Sequence, residues 1–396
     1  MEEALSLLPP DFTLLQVTPS LDIGGAEQTT VDVAAAVARA GGRSLVASSG
    51  GRMQGAVIEG GSQLIHMPVQ SKNLLTLIAN GRALADLIVR EKVSLVHVRS
   101  RAPAFSALWA ARHTRTPVLA TYHGVYRSGS ALKRWYNSIM TRGDRVIANS
   151  EFTRAHLLAE HRIDPAKVVT IPRGIDTAYF DPQAVSAERI EALRTRWEIG
   201  SADPRLKLVL AGRLTPWKGQ TLAIEALAAA KAQGAPDMLL LLVGDSQGRM
   251  NYVAELLALA RKLDVEEQVR LVGPCSDMPA AYLLGDIALA PSLEPEAFGR
   301  TAVEPQAMGR PVIAADHGGA RETVIPGQTG WLAAPGDLEA WTQALLAALA
   351  AGPEGRAAIA AAGQARTRKL YSVQAMTDAT LAVYAQMLRT SGPEST

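Results

Sequence analysis

Residues 207–244 read KLVLAGRLTPWKGQTLAIEALAAAKAQGAPDMLLLLVG. An apolar run closes on Gly212, a tight turn containing Pro216 follows, Gly219 and Gln220 open a helical stretch, and a second, wholly apolar run starts at Met238. A run without polar alternation has both faces buried, the condition of a strand inside a parallel sheet covered by helices on both sides.

The same alternation extends in both directions. Upstream, strands are predicted at 13–18, 43–48, 94–99, 117–122, 145–150 and 168–172, separated by helical patterns such as 24–41 and 101–114. Downstream they are predicted at 269–273, 287–292 and 311–315. This is the pattern of an α/β protein with two doubly wound, Rossmann-like domains. Segment 176–206 carries Pro182 and Pro204 around a short helical pattern and marks the boundary, giving an N-terminal domain over 1–180 and a C-terminal domain over 181–375. Helical stretches at 337–368 and 373–390 follow the last strand, and 376–396 reads as a helix crossing back to the first domain plus a frayed tail, SGPEST.

Composition agrees with two folded domains. A chain of 396 residues is long for one core, and 48% hydrophobic with 20% charged residues is a globular balance. Net charge is +2, unevenly spread: residues 1–175 hold 20 Lys/Arg against 13 Asp/Glu, and the remainder hold 20 against 25. A basic first half suits an anionic partner, either a membrane surface or a phosphorylated substrate, and no nucleic acid is expected. The single cysteine, Cys275, excludes an internal disulfide, fits a reducing cytoplasm and reads as structural. MEEALSLLPPDF at the start is acidic where a signal peptide is basic. The alanine-rich stretch 340–362 is divided by Gly352, Pro353, Glu354 and Arg356, so any membrane contact is expected to be peripheral.

In open α/β sheets ligands bind beyond the carboxyl ends of the strands, so two such domains facing each other should enclose one central cleft. After the first strand, Gly24 and Gly25 allow close approach of the backbone at a helix start, but the third glycine of a dinucleotide fingerprint is missing. After the 117–122 strand stands His123, with Gly124 beside it for clearance. In GRLTPWKGQ (212–220), Arg213 and Lys218 flank a turn into a helix, a set of groups suited to a diphosphate. VGDSQGR (243–249) offers backbone groups near the same edge. No HExxH, CxxC or DxD pattern occurs, so no metal site and no cofactor are expected. In EPEAFGRTAVEPQAMGRPV (294–312), the carboxylates of Glu294, Glu296 and Glu304 cluster beyond another strand.

Together these segments resemble the retaining glycosyltransferases of family 4, which have the GT-B fold. The resemblance spans roughly residues 13–390 and rests on GGAE (24–27), His123-Gly124, PRGID (172–176), GRL and KG within 212–219, GD (244–245), EAFGRTAVE (296–304) and the glycine pair 318–319. It implies a nucleotide-sugar donor and a lipid-linked or saccharide acceptor in cell-envelope polysaccharide, lipopolysaccharide or glycolipid synthesis. It implies that Arg213 and Lys218 bind and stabilise the leaving diphosphate, that Glu296 lies beside the reacting sugar, that Glu304 accepts hydrogen bonds from the ribose, and that His123 contacts the sugar. Gly25, Asp245, Ala297, Phe298 and Gly299 fall on donor-binding positions, and Glu27 and Arg173 on the acceptor side. Localisation is then cytoplasmic, with peripheral contact at the inner face of the plasma membrane through cations including Arg99, Arg101, Arg112, Arg115, Arg127, Lys133 and Arg134.

The chain departs from the pattern at Pro295, Arg300 and Pro305. Arg300 replaces an apolar residue and suggests an anionic donor sugar. Pro305 is expected in a helix's first turn, where proline is tolerated, and Glu294 is expected to be a solvated neighbour. A nucleotide-sugar epimerase of the same architecture, or a non-catalytic sugar-nucleotide binder, would share most of these motifs. A nicotinamide dehydrogenase would not.

Overall fold

The computed structural model describes residues 8–22, 24–126 and 129–391. Arg127, the first seven residues and the tail 392–396, on which expectations were set above, lie outside the described residues. The chain forms two compact units: the described residues of Met1–Gly174 with those of Val373–Thr396, and Ile175–Ser372.

The first unit holds a seven-stranded sheet in the order β3-β2-β1-β4-β5-β6-β7. Its strands are β1 (Thr13–Val17), β2 (Arg43–Ser48), β3 (Gln63–His66), β4 (Leu95–Val98), β5 (Val118–Tyr122), β6 (Arg145–Ala148) and β7 (Val168–Thr170). The second holds β8 (Leu206–Ala211), β9 (Met238–Val243), β10 (Val269–Gly273), β11 (Ile287–Ala290), β12 (Val312–Ala315) and β13 (Trp331–Ala333), ordered β10-β9-β8-β11-β12-β13. Every pairing is parallel. In each sheet the winding reverses once, between β1 and β4 and between β8 and β11. Those are the switch points where helices leave toward opposite faces and open a crevice at the strand ends.

The apolar runs are explained by two-sided burial. In β8, Leu208 and Leu210 join the core on one face while Val209 and Ala211 join the core on the other; Leu239 to Val243 of β9 divide the same way. Each fully buried aliphatic side chain contributes about 1.5–3 kcal/mol. In the first unit, Leu15 and Val17 face one core, whereas Leu14 faces another that includes Met376, Leu381, Tyr384 and Met387 of the helix Val373–Ser391.

The break between units falls at Gly174, ahead of residue 180, because Ile175 and Phe180 pack with Leu193 and Trp197 in the second unit's core, and Ile175 bridges to Ser372. Two edge strands were not foreseen: β3 is only partly buried and β13 has three residues, so neither shows the apolar run of a central strand. The expected stretch 337–368 is two helices, Leu338–Ala350 and Gly352–Leu370, bent by 106° at Gly352, whose φ of +65° breaks the first. Among the described residues no single helix is long and apolar enough to cross a membrane.

Candidate functional site

In the second unit, four turns at the carboxyl ends of strands interlock. Leu214 N–H donates to the Asp245 carbonyl at 3.0 Å, Leu293 N–H to the Trp217 carbonyl at 2.7 Å, and Gly319 N–H to the Glu296 carbonyl at 2.8 Å. The fully buried Gln220 side chain donates to the Arg213 carbonyl at 2.9 Å and so fixes the loop from inside. Gly219, at φ +76°, opens the helix Gln220–Ala232 so close to β11 that a Cβ would stand 2.0 Å from the Pro291 carbonyl oxygen. Gly318, at φ +58°, also lies tight against the Glu296 backbone, where a Cβ would stand 2.6 Å from the carbonyl oxygen.

This frame sets Lys218 against Glu296. Lys218 is buried, its Nζ lies 2.7 Å from Glu296 Oε1, and it also sits 4.5 Å from the centre of the Trp217 ring. Ser292 Oγ donates to the same carboxylate oxygen at 2.5 Å. His317 Nε2 lies 2.8 Å from the Ser292 carbonyl, so it carries the proton and donates, holding the residue that holds Glu296. Arg213 is exposed and forms no ion pair with a site carboxylate among the described residues. Asp245 Oδ1 accepts from Gln247 N–H at 2.7 Å and thereby shapes its own turn.

Glu304 lies on the helix Arg300–Ala307, which follows Gly299. It is buried, with Oε1 2.8 Å from the Arg300 guanidinium and Oε2 accepting from the Tyr282 hydroxyl at 3.1 Å. Burial pushes its carboxyl above the ordinary range, while Arg300 and the Tyr282 hydroxyl pull it back. Arg300, one turn earlier, is committed to Glu304. Pro305 lies in the second turn, not the first as expected; the ladder resumes beyond it with Met308 N–H to Glu304 and Arg310 N–H to Pro305. Phe298 is buried against Tyr371, leaving Ala297 and Gly299 to present backbone at the turn, and Glu294 is exposed.

In the first unit, Gly24 and Gly25 open the helix Gly25–Arg39; the Glu27 carboxylate lies over Gly24 and the Arg173 guanidinium over Gly25, each where a Cβ would sit. Arg173 also donates to His123 Nδ1 at 3.4 Å, which places the imidazole proton on Nε2. His123 is partly exposed as a residue, yet Nε2 is enclosed and has no hydrogen-bond partner among the described residues. Burial, then Arg173 and Arg99, hold the ring well below its ordinary pKa of 6.5. Asn149, at the end of β6, fixes the turn by donating to the His123 carbonyl at 3.0 Å.

Behind it lies a polar network that was not foreseen. His97 is buried between Tyr384 (2.6 Å) and Thr121 (2.7 Å). Arg99, counted above among surface cations, is only 2% exposed: it bonds Gln16 and Thr121, and burial pushes its pKa down to about 10. Its position directly after β4, as the last residue of the predicted run SLVHVR, hid it, since an arginine at a strand's end can be buried or solvated. Ser292 and Asn149 could have been flagged by their place at the carboxyl ends of the predicted strands 287–292 and 145–150; both fall just outside β11 and β6. Among the described residues no three His, Cys, Asp or Glu side chains could hold a metal ion together. Cys275 is half-buried with its thiol pushed up by that burial, the opposite of an activated nucleophile.

Two family descriptions match: Glycosyltransferase Family 4 over residues 23–179 and Glycosyl transferases group 1 over residues 192–366. The structure resembles a glycosyltransferase from Rickettsia africae, with 33% identity, a TM-score of 0.87, and 96% of this chain and 99% of that one covered. HepE of Anabaena shares the fold at 24% identity and a TM-score of 0.77, covering 96% and 100%. D-inositol 3-phosphate glycosyltransferases of Segniliparus rotundus and Actinosynnema mirum are 32% and 35% identical, each over 63% of this chain. The chain spans about half the length of these curated relatives, 54% and 58%.

Proposed function

The chain belongs to the family 4 glycosyltransferases of GT-B fold, and from that premise we propose that it transfers a hexose from a nucleotide sugar to a lipid-linked or saccharide acceptor, with retention of configuration and without a metal ion. The observation that carries this is the Lys218–Glu296 pair, a buried cation and a carboxylate held within 2.7 Å at the β8 and β11 strand ends.

Breaking the bond from the anomeric carbon to the phosphate oxygen leaves its electron pair on the diphosphate. Lys218 and Arg213 stabilise that growing charge more in the transition state than in the ground state. The sugar becomes oxocarbenium-like, and Glu296 is the anion beside it. The acceptor hydroxyl bonds to the anomeric carbon on the face the phosphate leaves, and its proton passes to the departing phosphate oxygen. Glu304 takes the ribose hydroxyls, the backbone of Ala297, Phe298 and Gly299 and the Asp245 turn complete the donor contacts, and Gly25 offers its amide. His123 donates from Nε2 to the sugar, and Glu27 and Arg173 serve the acceptor. Relatives named for D-inositol 3-phosphate make a polyol and its phosphate acceptors to test beside lipid-linked sugars. We assign the enzyme to the cytoplasmic side of cell-envelope glycan or glycolipid synthesis.

A thermal-shift panel of UDP, GDP and ADP sugars tests the donor. A ligand at 100 times its Kd stabilises by about 2.7 kcal/mol, so one nucleotide should raise the Tm distinctly. No shift with any of them at saturating concentration would sink the reading.

A further inference from the structure

Residues 92–143 contain nine Lys/Arg and no Asp or Glu. Arg99 is buried, but Arg112, Arg115, Lys133, Arg134 and Arg142 are exposed. Large apolar side chains are exposed among them: Leu132 at 75%, Trp135 at 52% and Trp109 at 50%, with Leu74 and Leu75 at 70% and 77% on the start of the helix Leu74–Arg90.

Contacts tie the elements that carry these residues into one surface. The Trp135 ring lies 5.8 Å from that of Phe105 on the helix Arg101–Thr114. The next residue, Ser106, donates through Oγ to the Leu77 carbonyl at 2.8 Å, tying in the Leu74–Leu75 end, and one turn on from Phe105, Trp109 lies over Gly81. The Arg142 guanidinium stands 5.5 Å over Trp135 and, with Arg112 and Arg115, lines a surface pocket of about 280 Å³. The acid in that pocket, Asp144, has its carboxylate engaged by Val118 N–H at 2.8 Å.

We infer that this face docks on an anionic membrane surface, with Leu132, Trp135, Leu74 and Leu75 entering the headgroup boundary and the arginine pocket taking a lipid phosphate. Tryptophan and leucine beside Lys and Arg are the composition of an interfacial surface. A second copy of the chain is disfavoured as occupant, because a two-fold contact would set cations against the same cations. A free polyanion would leave the leucines uncovered.

Co-sedimentation of the full chain with vesicles is the test, read without donor or acceptor, so that its failure and the failure of sugar transfer are separate results. Binding is expected to phosphatidylglycerol-containing vesicles at low salt, to weaken at about 0.5 M salt, and to be weak on pure phosphatidylcholine. Leu132→Ser with Trp135→Ser, and separately Lys133→Glu with Arg134→Glu, should each lower partitioning on the order of tenfold at unchanged Tm. Absence of binding to anionic vesicles, equal binding to phosphatidylcholine, or indifference to both double variants would overturn the inference. So would a dimer in solution that the Leu132/Trp135 variant dissociates.

Discussion

Lys218 Nζ and Glu296 Oε1 lie 2.7 Å apart, and Lys218 is buried. On the proposed reading, a diphosphate arriving at the β8 turn would compete with Glu296 for that ammonium, making the pair both a preformed site and a small barrier to donor entry. Truncating one member of such a pair leaves the other partly desolvated and unmatched.

Glu296→Gln keeps shape and removes charge. Turnover should fall on the order of 100-fold, while donor KM stays level or drops because Lys218 is released to the phosphate. Lys218→Met should lower kcat/KM as strongly and raise donor KM. Steady-state kinetics that gave Glu296→Gln a raised KM at full kcat would contradict the assignment. Glu294→Ala, at an exposed position, should change neither constant.

Glu304 carries a pH signature. Its folded pKa is raised above 4.5, chiefly by burial, so its stability contribution is present below 4.5 and is lost as pH rises through the raised value. Against Glu304→Gln, the wild-type chain should therefore lose relative stability as pH climbs from 4.5, seen in Tm measured across that window. Donor affinity should move the other way, since a charged Glu304 is the better acceptor for ribose hydroxyls. Arg300→Leu, which removes the 2.8 Å partner, should weaken nucleotide binding about tenfold, a loss of about 1.4 kcal/mol, without switching sugar preference. A switched preference would restore the anionic-sugar expectation.

What the sequence discloses follows from two-sided burial. Central strands such as β9, and β8 from Leu208 onward, are apolar because both faces are covered, and that is legible without a structure. β3 and β13 sit at sheet edges with one flank open, so QLIH and WLA look like any loop. Site residues at strand ends, Lys218 and Glu296 among them, could be read as candidates because position and residue type coincide. Their pairing could not, since it depends on tertiary closure of loops 78 residues apart. Nor could the burial of Arg99 or the embrace of Glu304 by Arg300 and Tyr282, which depend on side-chain directions that spacing alone leaves open.

His97 and His123 should make the protein acid-sensitive. Both are held well below 6.5, each chiefly by burial, with Arg99 adding to both and Arg173 to His123. A depressed pKa gives stability that is complete above 6.5 and lost as pH falls below it, because the unfolded chain takes up the protons first. Unfolding free energies from urea titrations should decline below 6.5 with a slope of about 1.4 kcal/mol per pH unit for each histidine, and His97→Gln should remove one such increment. Since His123 stays neutral, kcat/KM should show no inflection near 6.5 from this residue. Such an inflection that vanished in His123→Gln would show that the ring titrates in the working enzyme.

Gly219 separates strain from collision. Its φ of +76° alone would cost an alanine about 1–2 kcal/mol, the same charge that Gly234, at φ +84° with nothing within 4 Å of a Cβ, would incur. Gly219 adds a Cβ placed 2.0 Å from the Pro291 carbonyl oxygen, and neither backbone can yield without dragging the Lys218 turn from the Glu296 turn. Gly234→Ala should therefore lower Tm by a few degrees and leave donor affinity intact. Gly219→Ala should lower it further and also abolish the donor-induced Tm shift, because the cation no longer meets its carboxylate. If Gly219→Ala behaved like Gly234→Ala in both readouts, the close approach of the two loops would have no part in forming the donor site.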